Sequence, residues 1–521
     1  MKLCCNTIQE SLAQTVARFG DRCAIETPAE RYTWREIGLL SDAMADRLLQ
    51  RGIRRGDHVA LWGGNSLSWI LTFLAVIKLE AVAVLINNNY TERELSQVLE
   101  LSGAKWLCFG QCPILDSQPG LPARVMSACA AGEDRILPME AEPALLRSWL
   151  SRPAKPETAH GDPNRVCCLL FTSGSTERPK CVMMNHYSLV NNAVSMAEKL
   201  GLRPSDRICL SIPLFHIFCL CSNLLAGIYA GASIAIPEGL KSVHLLRCVE
   251  RHACTILNGV PTSYLALVRS PDFSLRAAQS LRLGVMGGAP ILERPMADLQ
   301  RALPHTEFMI NYGQTEGGCI CNTEHGDGLE RLAHTVGRPL PHITVGVADP
   351  VSGRLLGPGQ VGELVVRGYS VMQGFYPPTA PQRAVDDQGW LHTEDLGRID
   401  ENGYVTIAGR KKDIIIRCGE DITPREIETV ILAYEPVLDA KVFGIPHEVL
   451  GEQVVACIVA RPGAAYREEE LWAWMQQNLA PFKIPSYLFC FHQFPLCANG
   501  KLDIQRLKRS VSARTAGMGH A

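Results

Sequence analysis

The chain predicts an α/β fold: a large N-terminal domain of two parallel-type α/β subdomains plus a small β-rich subdomain, then a small C-terminal α+β domain. Three observations carry this expectation. Short apolar runs alternate with helix-like stretches through the first four-fifths of the chain. After about Val336 the texture changes to short strands broken by glycine turns. Finally, 521 residues, 47% of them hydrophobic and 20% charged, exceed what one ordinary core holds.

Taken in order, HVALWGG (His58 to Gly64) reads as a buried strand, an apolar helix follows, and AVAVLI (Ala81 to Ile86) is the next strand. RVCCLLFTS, DRICLSIP, ASIAIP and LRLGVMGG repeat the theme, each ending in a small-residue or proline turn. Unbroken apolar runs are what strands covered on both faces require, so parallel sheets with crossover helices are expected. In such sheets the loops at the carboxyl ends of the strands gather the ligand. FTSGSTERPKC, Phe171 to Cys181, sits immediately after one such end. Further on, DENGY carries the Asn-Gly of a tight hairpin. KKDIIIRCGED opens the terminal unit, ITPREIETVILAYEPV reads as a capped helix and DAKVFGIP as a strand. The boundary falls near Arg410 to Asp413, dividing the chain into residues 1–410 and 411–521, with SARTAGMGHA as a frayed tail.

Charge and composition exclude several classes. A formal net charge of -2 supplies no broad basic field for nucleic acid or an anionic membrane. Ile217 to Ile236 is uncharged and long enough to be weighed as a membrane span. Ser222, Asn223, Gly227, Gly231 and Ser233 interrupt it, however, and a buried helix turning into a strand is expected instead, with no transmembrane segment. The opening MKLCCNTIQESLAQTVARFGDR has neither a sustained apolar run nor a cleavage pattern, which points to a cytoplasmic, reducing setting. The 20 cysteines then serve mostly as small hydrophobes. The close pairs Cys167/Cys168, Cys219/Cys221 and Cys319/Cys321 lack zinc-site spacing, so core packing is expected of them.

In FTSGSTERPKC the hydroxyls of Thr172, Ser173, Ser175 and Thr176, the backbone around Gly174 and the Lys180 cation can all meet phosphate oxygens. No GxxxxGK[ST] is present, so this is not a Walker loop, and a polar turn between strand and helix is the competing reading. Glu177 is out of place beside phosphate, because like charges repel.

The order FTSGSTERPK, PLFH, GGAP, NYGQTE, GWLHTED, GRKKD and NGK runs from Phe171 to Lys501. With the opening NTIQESL, this resembles the acyl-adenylate-forming (AMP-binding) superfamily over nearly the whole chain, most closely its medium- and long-chain fatty acyl-CoA synthetases. The resemblance implies that a carboxylic acid is joined to the α-phosphate of ATP, pyrophosphate leaves, and coenzyme A takes the acyl group. By the same resemblance Lys501 bridges carboxylate and α-phosphate, Thr315 contacts the α-phosphate, and Glu316 binds Mg2+. Tyr312 would stack on adenine, backbone at Gly288 and Ala289 would meet its edge, and Asp395 with Arg410 would hold the ribose side of the nucleotide. His216 would border the acid, although a hydrogen-bonded core histidine is as good a reading of it. Phe218, Cys219, Asn223, Val260 and Gly317 are the pocket candidates. Asp413 would be the hinge on which a mobile C-terminal domain turns, withdrawing Lys501 and bringing up Arg417 to Glu420.

Amino-acid-activating relatives carry an aspartate near PLFH, whereas HIFCLCSNLLAG has no acidic residue. An unpaired ammonium would be penalised there, so a non-amino acid is expected. Alternatives are an aryl acid-CoA ligase, a stand-alone acyl-AMP ligase loading a separate acyl carrier protein, and a non-catalytic acyl- or nucleotide-binding relative. The chain ends without a carrier segment, which makes free coenzyme A the default acceptor. Four departures from the family pattern stand out. Glu177, Cys181, Glu394 and Cys418 each replace a usual glycine, and the first two predict a stiffer or displaced loop tip.

Overall fold

The computed structural model describes residues 1–112, 114–115, 118–128, 133–139, 143–151, 161–172, 179–378, 384–417, 420–447, 450–496 and 502–515. Two compact units emerge. One comprises Met1–Gly346, Val365–Thr393 and Asp400–Thr406; the other comprises Val347–Leu364, Glu394–Ile399 and Ile407–Ala521.

The first unit contains two mainly parallel sheets. In a seven-stranded sheet the order is Phe375–Tyr376, Lys180–Asn185, Val166–Thr172, Val82–Ile86, His58–Trp62, Trp106–Phe109 and Ile136–Pro138. From Val166–Thr172 to Ile136–Pro138 every pairing is parallel. Val82–Ile86 is buried at every residue, which accounts for its unbroken apolar sequence. The apolar helix between these strands is Leu67–Lys78, capped by the Ser66 hydroxyl accepting from Trp69 N–H. A nine-stranded sheet has Glu307–Gln314, Leu283–Gly287, Ile256–Gly259, Arg207–Cys209, Ser233–Ala235 and Cys23–Glu26 as its parallel centre.

The uncharged stretch from Ile217 folds as the expected helix and strand. It runs through Ile217–Cys219, a π-helical Leu220–Leu225 and Ala226–Ala230, then stops at Gly231, whose φ of 66° suits only glycine well. The strand Ser233–Ala235 follows. No helix of the described residues is long and apolar enough to cross a membrane. Past Val336, Ile343–Ala348, Gly362–Gly368, Leu391–Ile399 and Val405–Arg410 form a four-stranded sheet. The DENGY turn joins the last two of these strands, with Gly403 N–H donating to Asp400 O at 2.9 Å.

In the second unit, Gly451–Ala460 is the central strand, antiparallel to Val437–His447 and parallel to Tyr487–Phe491. Its period-2 alternation explains the run VVACIVA. Val454, Ala456 and Ile458 face helices Pro424–Ala433 and Glu468–Asn478, through Ile427, Ile431, Leu471 and Met475. Val455, Cys457 and Val459 face the other way, onto Phe443, Phe489, Leu507 and Val511. One expectation needs correcting. The helix Pro424–Ala433 has Thr423 at its N-cap without a side-chain bond. Its start is set instead by Pro424, whose missing N–H costs nothing in the first turn.

Cys167, Cys168, Cys219, Cys221, Cys319 and Cys321 are all buried free thiols, as core packing requires. A buried histidine anchors the N-terminal helix Ile8–Phe19: His186 Nδ1 accepts from Ile8 N–H at 3.3 Å. Burial, reinforced by the Arg165 charge, pulls the His186 pKa down from 6.5 to about 4. Between those values the unfolded chain takes up a proton that the folded chain refuses, so stability is lost as pH falls from about 6.5 to about 4. His186→Asn keeps an acceptor but cannot titrate. Its thermal midpoint should therefore fall less steeply than the wild type's over that window; equal slopes would remove His186 from the account.

Candidate active site

The segment that carries His216 is held by a side chain that the motifs did not flag. Beyond the strand Arg207–Cys209 the backbone leaves the sheet and runs toward His216. Asn65, just after the strand His58–Trp62, takes over the ladder's role there. Its Nδ2 donates to Leu210 O at 3.2 Å and Ile212 O at 2.7 Å, and its Oδ1 accepts from Leu214 N–H at 2.9 Å. His216 is then placed at the start of the helical stretch, half-buried, with its ring centroid 4.5 Å from that of Phe215.

Phe218, Gly287, Gly288 and Val260 come together around the ends of neighbouring strands. A Cβ on Gly287 would lie 3.3 Å from the Phe218 ring, and one on Gly288 would lie 3.7 Å from Val260 Cγ1. Gly288 has a φ of 76° and, with Ala289 and Pro290, is exposed, so the GGAP backbone is presented to solvent. Cys219 and Asn223 are turned into the core. Both are wholly buried; the Cys219 thiol donates to Ile212 O at 3.0 Å, and Asn223 Oδ1 accepts from Asn258 Nδ2 at 2.5 Å.

NYGQTE forms the end of the strand Glu307–Gln314 and the turn into Gly318–Asn322. A Cβ at Gly313 would stand 2.2 Å from Gly318 O, so only glycine lets the two strands close. Asn192 pins the turn from the other side, donating from Nδ2 to Cys319 O at 2.8 Å and accepting Cys319 N–H at 3.0 Å. Glu316 O accepts from Met372 N–H at 2.9 Å, and Gly317 is closed in by Ile320 and Leu391. Tyr312, Thr315 and Glu316 are thus half-buried on one braced turn, with Gly317 buried beside them.

Thr172 and Lys180 face each other in antiparallel register, so FTSGSTERPKC joins two strands and not a strand and a helix. Lys180 Nζ lies 5.5 Å from the Phe375 ring centroid. Cys181 belongs to the strand Lys180–Asn185 and is buried opposite Phe171 and Tyr376, with burial pushing its thiol up to about 12. Its replacement of glycine therefore falls within the sheet, while the loop tip to which the expectation of stiffness refers lies outside the described residues. Ser173, Gly174, Ser175, Thr176 and Glu177 lie outside the described residues, as do Cys418 and Lys501.

In the second unit, buried Asp395 accepts from Arg410 Nε at 3.1 Å, while half of the arginine side chain stays exposed. Glu363, 4% exposed, supports this pair's surroundings by accepting from Lys411 Nζ at 3.1 Å and from Glu394 N–H at 3.2 Å. Glu394 itself has a φ of 61°, which gives the usual glycine at this position a physical reason. Asp413 is exposed in the short 3-10 turn Lys411–Asp413. Arg417 donates from Nη1 to Phe482 O at 3.2 Å and Ile484 O at 3.0 Å.

Residues 12–376 match the AMP-binding enzyme family, and residues 426–501 match the AMP-binding enzyme C-terminal domain. The chain belongs to the AMP-binding enzyme family. YngI of Bacillus subtilis (strain 168) is 33% identical over 533 residues, covering 97% of each protein. Medium-chain acyl-CoA ligase ACSF2, mitochondrial, of Mus musculus is 29% identical over 552 residues, covering 97% of this chain and 87% of that protein. The crystal structure of ATP-bound MatB from Rhodopseudomonas palustris superposes with a TM-score of 0.86 at 26% identity, covering 96% of this chain and 98% of that one.

Two outcomes test this geometry. Asn65→Ala strips partners from three backbone groups, a cost of about 1–3 kcal/mol for each one that water does not reach. If that loss loosens the segment carrying His216, the KM for the acid should rise about tenfold with less change in the KM for ATP. A folded variant with both values unchanged would deny Asn65 a positioning role. Glu394→Gly relieves the left-handed backbone and should raise unfolding stability by about 1 kcal/mol or less. A loss of that size would mean the carboxylate's own contacts outweigh the strain.

Proposed function

We propose that this chain is an AMP-forming acid-thiol ligase that activates a non-amino carboxylic acid, a medium-chain fatty acid above all, and passes it to coenzyme A. In the first half-reaction a carboxylate oxygen attacks the α-phosphorus of ATP and pyrophosphate leaves. In the second, the sulfur of coenzyme A attacks the acyl carbonyl and AMP leaves. The observation that carries this reading is the run of seven ordered motifs from Phe171 to Lys501, spanning both matched family segments. The medium-chain preference rests on the name of the ACSF2 relative, and the choice of a non-amino acid on the absence of any acidic residue in HIFCLCSNLLAG.

Two anions must meet in the first step, so cations and donors are needed where charge accumulates. Lys501 would bridge carboxylate and α-phosphate, Thr315 would donate to the α-phosphate, and the Thr172 to Thr176 loop with Lys180 would receive the pyrophosphate end. Tyr312 would stack on adenine against the exposed GGAP backbone, while Asp395, oriented by Arg410, would accept from ribose hydroxyls. His216, Phe218, Val260 and Gly317 would line the acid's side. Glu316 fits a magnesium ion, because its carboxylate sits on a braced turn and Mg2+ asks the protein for only one or two carboxylates beside phosphate oxygens. When bound, the ion neutralises phosphate charge.

Residues 1–410 would form the adenylation domain and 411–521 a lid turning about Asp413, a hinge of the kind that a few residues can provide. We place the protein in the cytoplasm, whose reducing setting suits its free thiols; cell fractionation would reveal a mitochondrial location such as the ACSF2 name records.

Purified protein with ATP, magnesium and a panel of acids should release pyrophosphate and consume coenzyme A, fastest with medium-chain acids. Absence of release with every acid would refute the enzyme reading, and release without coenzyme A consumption would direct the acyl group to a carrier protein. Lys501→Ala should abolish pyrophosphate release yet still form thioester from supplied acyl-adenylate; equal loss of both would remove the assigned role.

A further inference from the structure

A second constellation lies in the first unit, away from the motifs above. Cys209 ends the strand Arg207–Cys209, Cys248 sits on helix Ser242–His252, and Cys254 follows that helix. Their three Sγ atoms all lie within 4.8 Å of one another, and the residues are 0%, 5% and 0% exposed. Among the described residues no other group of three or more histidine, cysteine or acidic side chains draws so close. The surrounding core, including Leu245, Val249, Tyr264 and Leu281, is apolar.

The donor set restricts what could bind. Thiolate is a soft ligand, and no oxygen-rich shell for magnesium or calcium is present in this group. Structural zinc takes four ligands in a tetrahedron, whereas this group offers three and its buried sulfurs have little access to water. A metal–sulfur bond of about 2.3 Å, the zinc–thiolate length, sets three sulfurs about 4 Å apart in a trigonal plane. The cluster would need to contract by no more than about 0.8 Å to reach it.

We propose that Cys209, Cys248 and Cys254 form a trigonal three-thiolate site for a soft monovalent metal ion, copper(I). Binding transfers the displaced S–H protons to solvent and leaves the oxidation state of the metal unchanged. Arg251 and His252 lie near Cys248, and the Glu26 carboxylate lies near Cys254. The ion would tie a strand, a helix and the turn after it. Cys209 stands opposite Leu257 in register, so the tie would reach the bases of the segments leading to His216 and Val260.

The test uses the full chain under anaerobic, reducing conditions, with Cys4, Cys5, Cys23 and Cys490 replaced by serine to remove the more exposed thiols among the described residues. Copper(I) is supplied against a competing chelator until binding is constant. The expected result is one copper(I) per chain, ultraviolet thiolate-to-copper charge transfer, and a raised thermal midpoint. Cys248→Ser and Cys254→Ser should each weaken binding at least tenfold. Cys248→Ala and Cys254→Ala serve the same purpose if the serine variants fail to fold. Retention of full affinity in these variants, a Cys248–Cys254 disulfide that persists under the reducing conditions, or preferential binding of zinc would overturn the proposal.

Discussion

Side-chain amides, buried or half-buried, hold the candidate site together where sheets and helices stop. A backbone group removed from water needs a partner, and in a parallel α/β core the ladder ends just where the functional loops begin. Asn65 supplies that partner three times over for Leu210, Ile212 and Leu214. Asn192 does so twice for Cys319, and Asn311 donates to Cys321 O at 3.1 Å inside the same hairpin. In a low-dielectric interior such bonds are firm, and their loss leaves groups that water cannot readily reach. The loops that carry His216 and Glu316 are therefore held by polar bracing as well as by packing.

Close backbone approach is the second constraint. Gly313 against Gly318 leaves no room for an ordinary side chain, and Gly287 against Phe218 leaves little, so the glycines of NYGQTE and GGAP act by permitting contact. In the second unit a buried carboxylate plays the organising part. Glu363 collects Lys411 and the Glu394 amide, while the neighbouring Asp395 holds Arg410. Burying Glu363 with a cation and an amide donor avoids the cost of an unpaired charge. That same arrangement keeps Glu394 in a conformation that its residue type disfavours.

The cysteines divide by environment. Most are small apolar side chains in a packed core, and burial suppresses thiolate formation, as at Cys181. Cys209, Cys248 and Cys254 differ because their three sulfurs lie within 4.8 Å of one another. No motif spacing announces them: two come from a helix and the turn after it, and the third from a strand earlier in the chain.

Local pattern and motif order were sufficient for much of this. Unbroken apolar runs such as Val82–Ile86 announced parallel strands, because a strand covered on both faces has no solvent side to mark with polar residues. The glycine-punctuated motifs announced the loops, since φ and close approach constrain residue type locally. What stayed hidden depends on residues distant in sequence. Asn65 meets Leu214 149 positions away, and Cys209 meets Cys254 across an intervening helix. Thr172 pairs with Lys180 in a hairpin that a strand-to-helix reading did not foresee. The sequence by itself determined the α/β class and the family's motif set. Only the tertiary structure decided which buried groups brace those motifs, because hydrogen-bond partners and shared pockets are properties of the packed chain and not of spacing along it.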